Sequence, residues 1–299
     1  MVCMENMTIE FDKQSGKWVG FIGEKPVFSS TSKYYVKQKL SKITPSFRAA
    51  KADEFGINKR FDFVSKIVGM VASKTTASAI ISGSGGLGKT HTVLKALAAA
   101  GLSNVTDLAS FEVGAVVDLK KSFRIIKGYS TAKGLYRTLY ESNGMTLVMD
   151  DVDSILKDPV ALNILKGALD SYSDRYISWM ADMKDDDLEK SFKFTGQIIF
   201  ITNVPLEKLD QAIKSRSMCV DLSMSDDQKL ERMEVIVKSE DFLPDVSNSS
   251  KREALEFLKQ NKSSIANLSL RTLIQVSKIA NSKESGWADL AKYVVSQGS

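Results

Sequence analysis

Gly83-Ser84-Gly85-Gly86-Leu87-Gly88-Lys89-Thr90 decides how the rest of the chain is read. Its glycines let the backbone approach a bound group closely, and successive N–H groups can turn inward onto an anion. Lys89 adds a cation on the β- and γ-phosphates of a nucleotide, and the Thr90 hydroxyl suits Mg²⁺. Upstream, Ala77-Ser78-Ala79-Ile80-Ile81 reads as a short buried strand, and residues 90 to 100 have helical spacing. The loop therefore runs from a strand into a helix whose positive end faces the anion. Such a pattern arises by chance in about 1% of chains of this length, and its strand–helix setting lowers that further.

Working outward, apolar runs alternate with helical ones. Phe61 to Ser73 is helical. Phe123 to Lys127, Met145 to Met149, Gln197 to Thr202 and Val220 to Leu222 are strand-like, with helical spacing at Leu135 and Leu139 and from Ala161 to Tyr172. Strands alternating with helices predict a parallel sheet covered on both faces. From Asp226 onward the strands stop, and four helices are expected: 226–238, 251–260, 268–280 and 287–296. At the other end, Met7 to Phe11 and Trp18 to Ile22 flank a turn and read as a β-hairpin, followed by a helix over 32–43. Three regions result: an N-terminal appendage over 1–50, an α/β nucleotide-binding core over 51–224 and a helical lid over 225–299.

Met145-Thr146-Leu147-Val148-Met149-Asp150-Asp151 delivers two acids at the end of an apolar strand. Parallel sheets bind ligands at that end. Asp150 would hold the Mg²⁺ shell and Asp151 would orient or deprotonate the attacking water. Asp153 is expected to cap the next helix, and His91, the single histidine, to be an ordinary surface or packing residue.

In this order the motifs resemble the AAA+ ATPases, over roughly Phe55 to Ala280. The resemblance implies an α/β, parallel-sheet P-loop NTPase core of AAA+ type with a C-terminal helical lid, ATP and Mg²⁺ as cofactors, and ATP hydrolysis at subunit interfaces of a homo-oligomer, a ring or a helix, with a hexamer the first expectation. Gly83, Ser84, Gly85, Gly86, Leu87, Gly88, Lys89 and Thr90 take the place of Walker A, and Asp150 and Asp151 that of Walker B. Asn203, ending the Gln197–Thr202 strand, stands as sensor 1. Arg216, in Ala212-Ile213-Lys214-Ser215-Arg216-Ser217, stands as an arginine finger directed at the neighbouring subunit. Arg271, opening the third lid helix, stands as sensor 2. Asn58 to Phe61 lies where such proteins contact adenine. One departure is Asp151, since most of the family has glutamate there.

The family's protein unfoldases carry an aromatic–hydrophobic–glycine pore loop, which Lys127 to Gly134 lacks. Tyr129, Lys127 and Lys133 suit a phosphate backbone and a stacked base instead. The expected function is remodelling of nucleic acid or nucleoprotein. The alternatives are a remodeller of protein complexes and a nucleotide switch with slow hydrolysis. Before the sensor 1 strand, residues 176–194 read as a β-hairpin with an acidic tip and Trp179 packed.

The net charge of +5 is mild for a nucleic-acid-binding protein. Two distant cysteines make no disulfide framework, and neither metal-ligand spacing nor a membrane-length apolar run occurs. The reading is of a soluble, cytoplasmic protein with no membrane partner.

Overall fold

The computed structural model describes residues 7–22, 25–36, 54–106, 118–172, 174–180, 188–265 and 267–297. Contacts divide the chain into two units, Met1–Phe55 and Gly56–Ser299.

The first unit is an antiparallel sheet of β1 (Met7–Asp12), β2 (Lys17–Ile22) and β3 (Lys25–Ser30). The hairpin of β1 and β2 is as expected. The third strand is an addition, since Pro26 and flanking polar residues hide its alternation. The predicted helix over 32–43 is helical at residues 33–36, and the rest of it lies outside the described residues.

In the second unit, helix α1 (Ile57–Ala72) leads into β4 (Ser78–Ser82), the glycine loop and α2 (Lys89–Ala99). Then come β5 (Ser103–Asn104), β6 (Ser122–Lys127), α3 (Ala132–Glu141), β7 (Thr146–Asp150) and α4 (Pro159–Ala168). The hairpin β8 (Tyr176–Ser178) with β9 (Ser191–Lys193) precedes β10 (Gln197–Thr202), α5 (Gln211–Ser215) and β11 (Met218–Asp221). The acidic tip expected on that hairpin lies largely outside the described residues.

Six strands form a parallel sheet in the order β11-β4-β10-β7-β6-β5. Alternate side chains enter opposite layers. Ala79, Ile81, Val148, Ile199 and Ile201 pack under α1 and α2, while Ile80, Leu147, Met149, Ile198 and Phe200 pack under α3 and α4. The sheet is thus apolar on both faces, which is why its strands read as continuous apolar runs. Trp179 is half-buried against Tyr136, with ring centroids 5.8 Å apart.

Four helices close the chain: α6 (Asp226–Val237), α7 (Asn248–Gln260), α8 (Leu270–Asn281) and α9 (Trp287–Gln297). They share a separate apolar cluster around Leu230, Leu258, Leu273 and Val276. Ser225 starts α6 with a reciprocal capping box to Gln228. The α/β fold with a helical lid implied by the AAA+ resemblance is the fold this chain adopts. Among the described residues, no helix is long and apolar enough to cross a membrane.

One sequence expectation is corrected here. Asp153 caps no helix: it accepts a hydrogen bond from Thr202 Oγ1 at 2.6 Å and ties β7 to β10, while Asp158 caps α4. Asn58 to Phe61 makes contacts to the lid and to the end of β11. Buried Arg60 donates to the carbonyls of Asp221 and Ser223 at 3.0 and 2.9 Å, and Asn58 donates to Glu231. Arg232 of the lid lies 3.9 Å over the Phe61 ring. These contacts anchor the core–lid junction on α1. Arg60→Ala removes the hydrogen bonds of a buried guanidinium to two main-chain carbonyls and is expected to cost about 2–3 kcal/mol. Urea unfolding of the variant beside the native chain measures this, and a loss below about 0.5 kcal/mol, the scale of an ordinary surface substitution, contradicts it.

Candidate functional site

Sheet order brings the polar residues together. β10 lies between β4 and β7, and β6 lies beyond β7. All run parallel, so their C-terminal ends share one edge. Along that edge come the glycine loop, then Asn203, then Asp150 and Asp151, then Lys127.

The loop needs its glycines. Gly83, Gly86 and Gly88 have φ of 152°, 71° and 86°, values that L side chains rarely adopt. A Cβ on Gly83 would also lie 2.9 Å from the Leu222 backbone. Lys89 is buried and donates to Gly83 O at 2.6 Å, Ser84 O at 2.8 Å and Asn203 Oδ1 at 2.9 Å. Burial pushes its ammonium below the ordinary lysine range, against the pull of Asp151 and Asp150.

Asn203 links this cation to an acid. Its Oδ1 faces Lys89, and its Nδ2 donates to Asp151 Oδ1 at 2.9 Å. A cation on one side and an anion on the other fix the amide orientation. Asp151 is exposed and has φ of 56°, while its N–H donates to Ile201 O at 3.0 Å. The left-handed region is tolerated by aspartate, whose short side chain bonds locally, better than by longer side chains. This gives a physical reason for aspartate where glutamate is usual.

Asp150 is buried. It accepts from Thr90 Oγ1 at 3.1 and 3.2 Å and pairs with Lys127 Nζ at 3.1 Å. Lys127, read from sequence as a loop contact for nucleic acid, is the last residue of β6 and stands in register with Asp150. The pairing is non-local, between neighbouring parallel strands, and its one local signal was the position of Lys127 at the end of an apolar strand.

Arg271, exposed on the first turn of α8, passes over the loop: its Cγ lies 3.6 Å from where a Gly86 Cβ would stand. The Leu270 N–H donates to Gly86 O at 2.8 Å, so the lid is hydrogen-bonded to the loop itself. Arg216 stands apart from this group. It ends α5, its Nη1 donates to Ala212 O, and its carbonyl accepts from Ser78 Oγ at the start of β4. The loop lies at the other end of β4, roughly 15 Å along the strand. His91 is exposed and, with Thr92, Ala96, Ile236 and Ile274, lines a cavity of about 550 Å³ between α2 and the lid.

The donor set fits Mg²⁺ with a nucleotide. A hydroxyl and a buried carboxylate converge beside a loop that only glycines can form. Among the described residues no group of three or more His, Cys, Asp or Glu could hold an ion by itself. Magnesium is commonly held in this way, by one or two carboxylates with phosphates and water completing the shell.

No family model matches the chain. A protein of Enterobacteria phage T4, an uncharacterized 36.7 kDa protein in the nrdC-mobD intergenic region, is 30% identical over 253 residues, covering 79% of this chain and 73% of that one. The chain belongs to the family of this phage protein. Solved structures show a weak likeness to this chain. The FIGL-1 AAA domain has a TM-score of 0.42 at 14% identity, over 78% of this chain and 79% of that one. The Aeropyrum pernix ORC1 protein, in complex with DNA, has 0.42 at 15%, over 80% and 65%. Trip13 in the E. coli MS115-1 HORMA:CdnC:Trip13 complex gives 0.40 at 12%, over 84% and 93%. Likeness at this level adds nothing to the strand order and the site geometry, which stand alone.

The positive φ at Gly86 has a measurable consequence. Gly86→Ala forces a left-handed alanine and is expected to cost about 1–2 kcal/mol. Gly69 in α1 has open space around a built Cβ and no positive φ, so Gly69→Ala should stabilise by about 0.5–1 kcal/mol. Denaturant unfolding of both variants checks the pair, and equal signs would contradict the backbone argument.

Proposed function

We propose that this protein is a Mg²⁺-dependent ATPase whose sites are completed between subunits of a homo-oligomer, a hexamer, and that hydrolysis remodels nucleic acid or nucleoprotein. The observation that carries this reading is the hydrogen-bonded row Lys89–Asn203–Asp151 beside Thr90–Asp150, at the C-terminal edge of a parallel sheet. Lys89 and the loop N–H groups of Gly83 to Thr90 hold the phosphates. Thr90 and Asp150 hold Mg²⁺, which when bound neutralises charge on the phosphates. Asp151 accepts the proton of the attacking water at its carboxylate, and Asn203 orients both. Arg271 touches phosphate from the lid of the same subunit. The cavity beside His91 takes the base.

Arg216 serves the neighbouring subunit. Its position at the entry end of the strands keeps it from its own loop, so only a second chain can use it. Tyr129, 82% exposed between β6 and α3, supports a nucleic-acid substrate through base stacking. A second reading, remodelling of a protein complex, is favoured by the groove of about 240 Å³ beside β8, lined by Val160, Ile164, Trp179 and exposed Met180.

Three outcomes are expected. Lys89→Ala abolishes ATP hydrolysis, and persistence of native rates sinks the ATPase reading. Arg216→Ala binds ATP but does not hydrolyse it, and mixing with Asp151→Asn restores activity; failure of that rescue removes the finger in trans. Single-stranded DNA stimulates hydrolysis, whereas stimulation only by a protein partner favours the second reading.

Lys127 competes with Mg²⁺ for Asp150. Lys127 is the exposed member of the pair, so removing it is worth on the order of 1 kcal/mol, and Lys127→Met should lower the Mg²⁺ concentration for half-maximal binding of a fluorescent ATP analogue about two- to fivefold. An unchanged or raised midpoint contradicts the competition.

A further inference from the structure

The net charge of the chain is concentrated at one end. Residues 1–52 contain nine Lys and Arg against four Asp and Glu, a net +5. The remaining 247 residues contain 32 of each sign, a net of zero. From Lys13 to Ala52 there are nine basic residues and one acid, Glu24. Asp53 and Glu54 close the N-terminal unit, so Met1–Phe55 carries a net +3 and the much longer Gly56–Ser299 a net +2.

The described part of that unit adds aromatic surface to the charge. Phe11 and Trp18 stand opposite each other in the β1–β2 register and so share one face, with ring centroids 5.1 Å apart. Phe11 is 47% exposed. Lys33 Nζ lies 4.4 Å from the centre of the Trp18 ring. Tyr35 packs on Phe28 of β3 at 5.6 Å, and Tyr34 beside it is 71% exposed. Lys13 and Lys17 are exposed at the β1–β2 turn. A solvated β-sheet needs neither exposed rings nor a one-sided charge for its stability, whereas a strand of unpaired bases on a polyphosphate uses both: rings stack on bases and ammonium groups replace counterions.

We propose that the N-terminal sheet is a binding surface for single-stranded nucleic acid, with Phe11 and Trp18 as the stacking platform and Lys13, Lys17 and Lys33 as phosphate contacts. The proposal rests on the nucleic-acid reading above and names the surface through which the substrate is held. Every base has a π-face and every nucleotide a phosphate, so the surface takes DNA or RNA with little regard to sequence.

The test measures binding of labelled dT20 and rU20 to the full chain by fluorescence anisotropy across a salt series. Three neutralised phosphates give a slope of log affinity against log salt of about −2. Reversing three surface charges, in Lys13→Glu/Lys17→Glu/Lys33→Glu, should weaken binding more than tenfold at 100 mM salt and flatten the slope by about 2. Phe11→Leu keeps apolar burial but removes the ring, and should weaken binding about fivefold with the slope unchanged. Binding of a fluorescent ATP analogue, unaltered in every variant, shows that the rest of the chain is intact. The proposal is overturned if the charge-reversed chain binds dT20 as tightly as the native one, if duplex DNA binds as well as dT20 with Phe11→Leu silent, or if the surface binds only vesicles of anionic lipid. Failure of the remodelling reading looks different: dT20 binds through this sheet, yet hydrolysis of ATP is indifferent to it.

Discussion

A buried lysine ammonium organises this molecule. Lys89 gives its hydrogen bonds to two carbonyls of its own loop and to Asn203, so the loop is wound around a cation before any ligand arrives. An ammonium removed from water is costly unless its donors are met and opposite charge is close. Here the donors are met by Gly83, Ser84 and Asn203, and the opposing charge comes from the acids at the end of β7. Strand order follows from the same need, since β10 must lie between β4 and β7 for the Asn203 amide to reach both sides.

Much of this was legible in the sequence because the patterns are strong and local. The glycine loop fixes strand, turn and helix at one stroke. The stretches Leu147 to Met149 and Ile198 to Ile201 are apolar at every position, as strands of a sheet covered on both faces are. The lid helices were legible through periodicity, and the structure adds the caps Ser225 and Ser269. What escaped was whatever depends on a distant partner. Lys127 is legible as a strand end, but its pairing with Asp150 appears only when β6 is laid beside β7. Asp153 has the look of a cap until Thr202 arrives from β10. Arg60 sits in a helix with nothing to mark it as buried, because its carbonyl partners lie more than 160 residues away. β3 escaped for a local reason, a proline and short polar flanks.

The acids illustrate how backbone shape chooses side chains. Asp150 ends its strand in ordinary extended geometry and is buried, whereas Asp151 turns the chain with a positive φ and is exposed. Two identical residues therefore stand in different dielectric surroundings one bond apart. The first is suited to holding a hard cation, the second to meeting water. The aspartate at position 151 then reads as a residue chosen by its backbone.

The hydrogen bond from Leu270 to Gly86 makes the lid and the loop a single mechanical element. A lid that tilts must either draw the loop with it or break that bond. Coupling free energies are reciprocal: an agent that favours one lid position when nucleotide binds must bind better when nucleotide is present, by the same factor. Any macromolecule gripping α6 to α9 would thus retune nucleotide affinity without approaching the phosphate pocket, and occupancy of that pocket would be legible, as a change in grip, on the lid's outer surface.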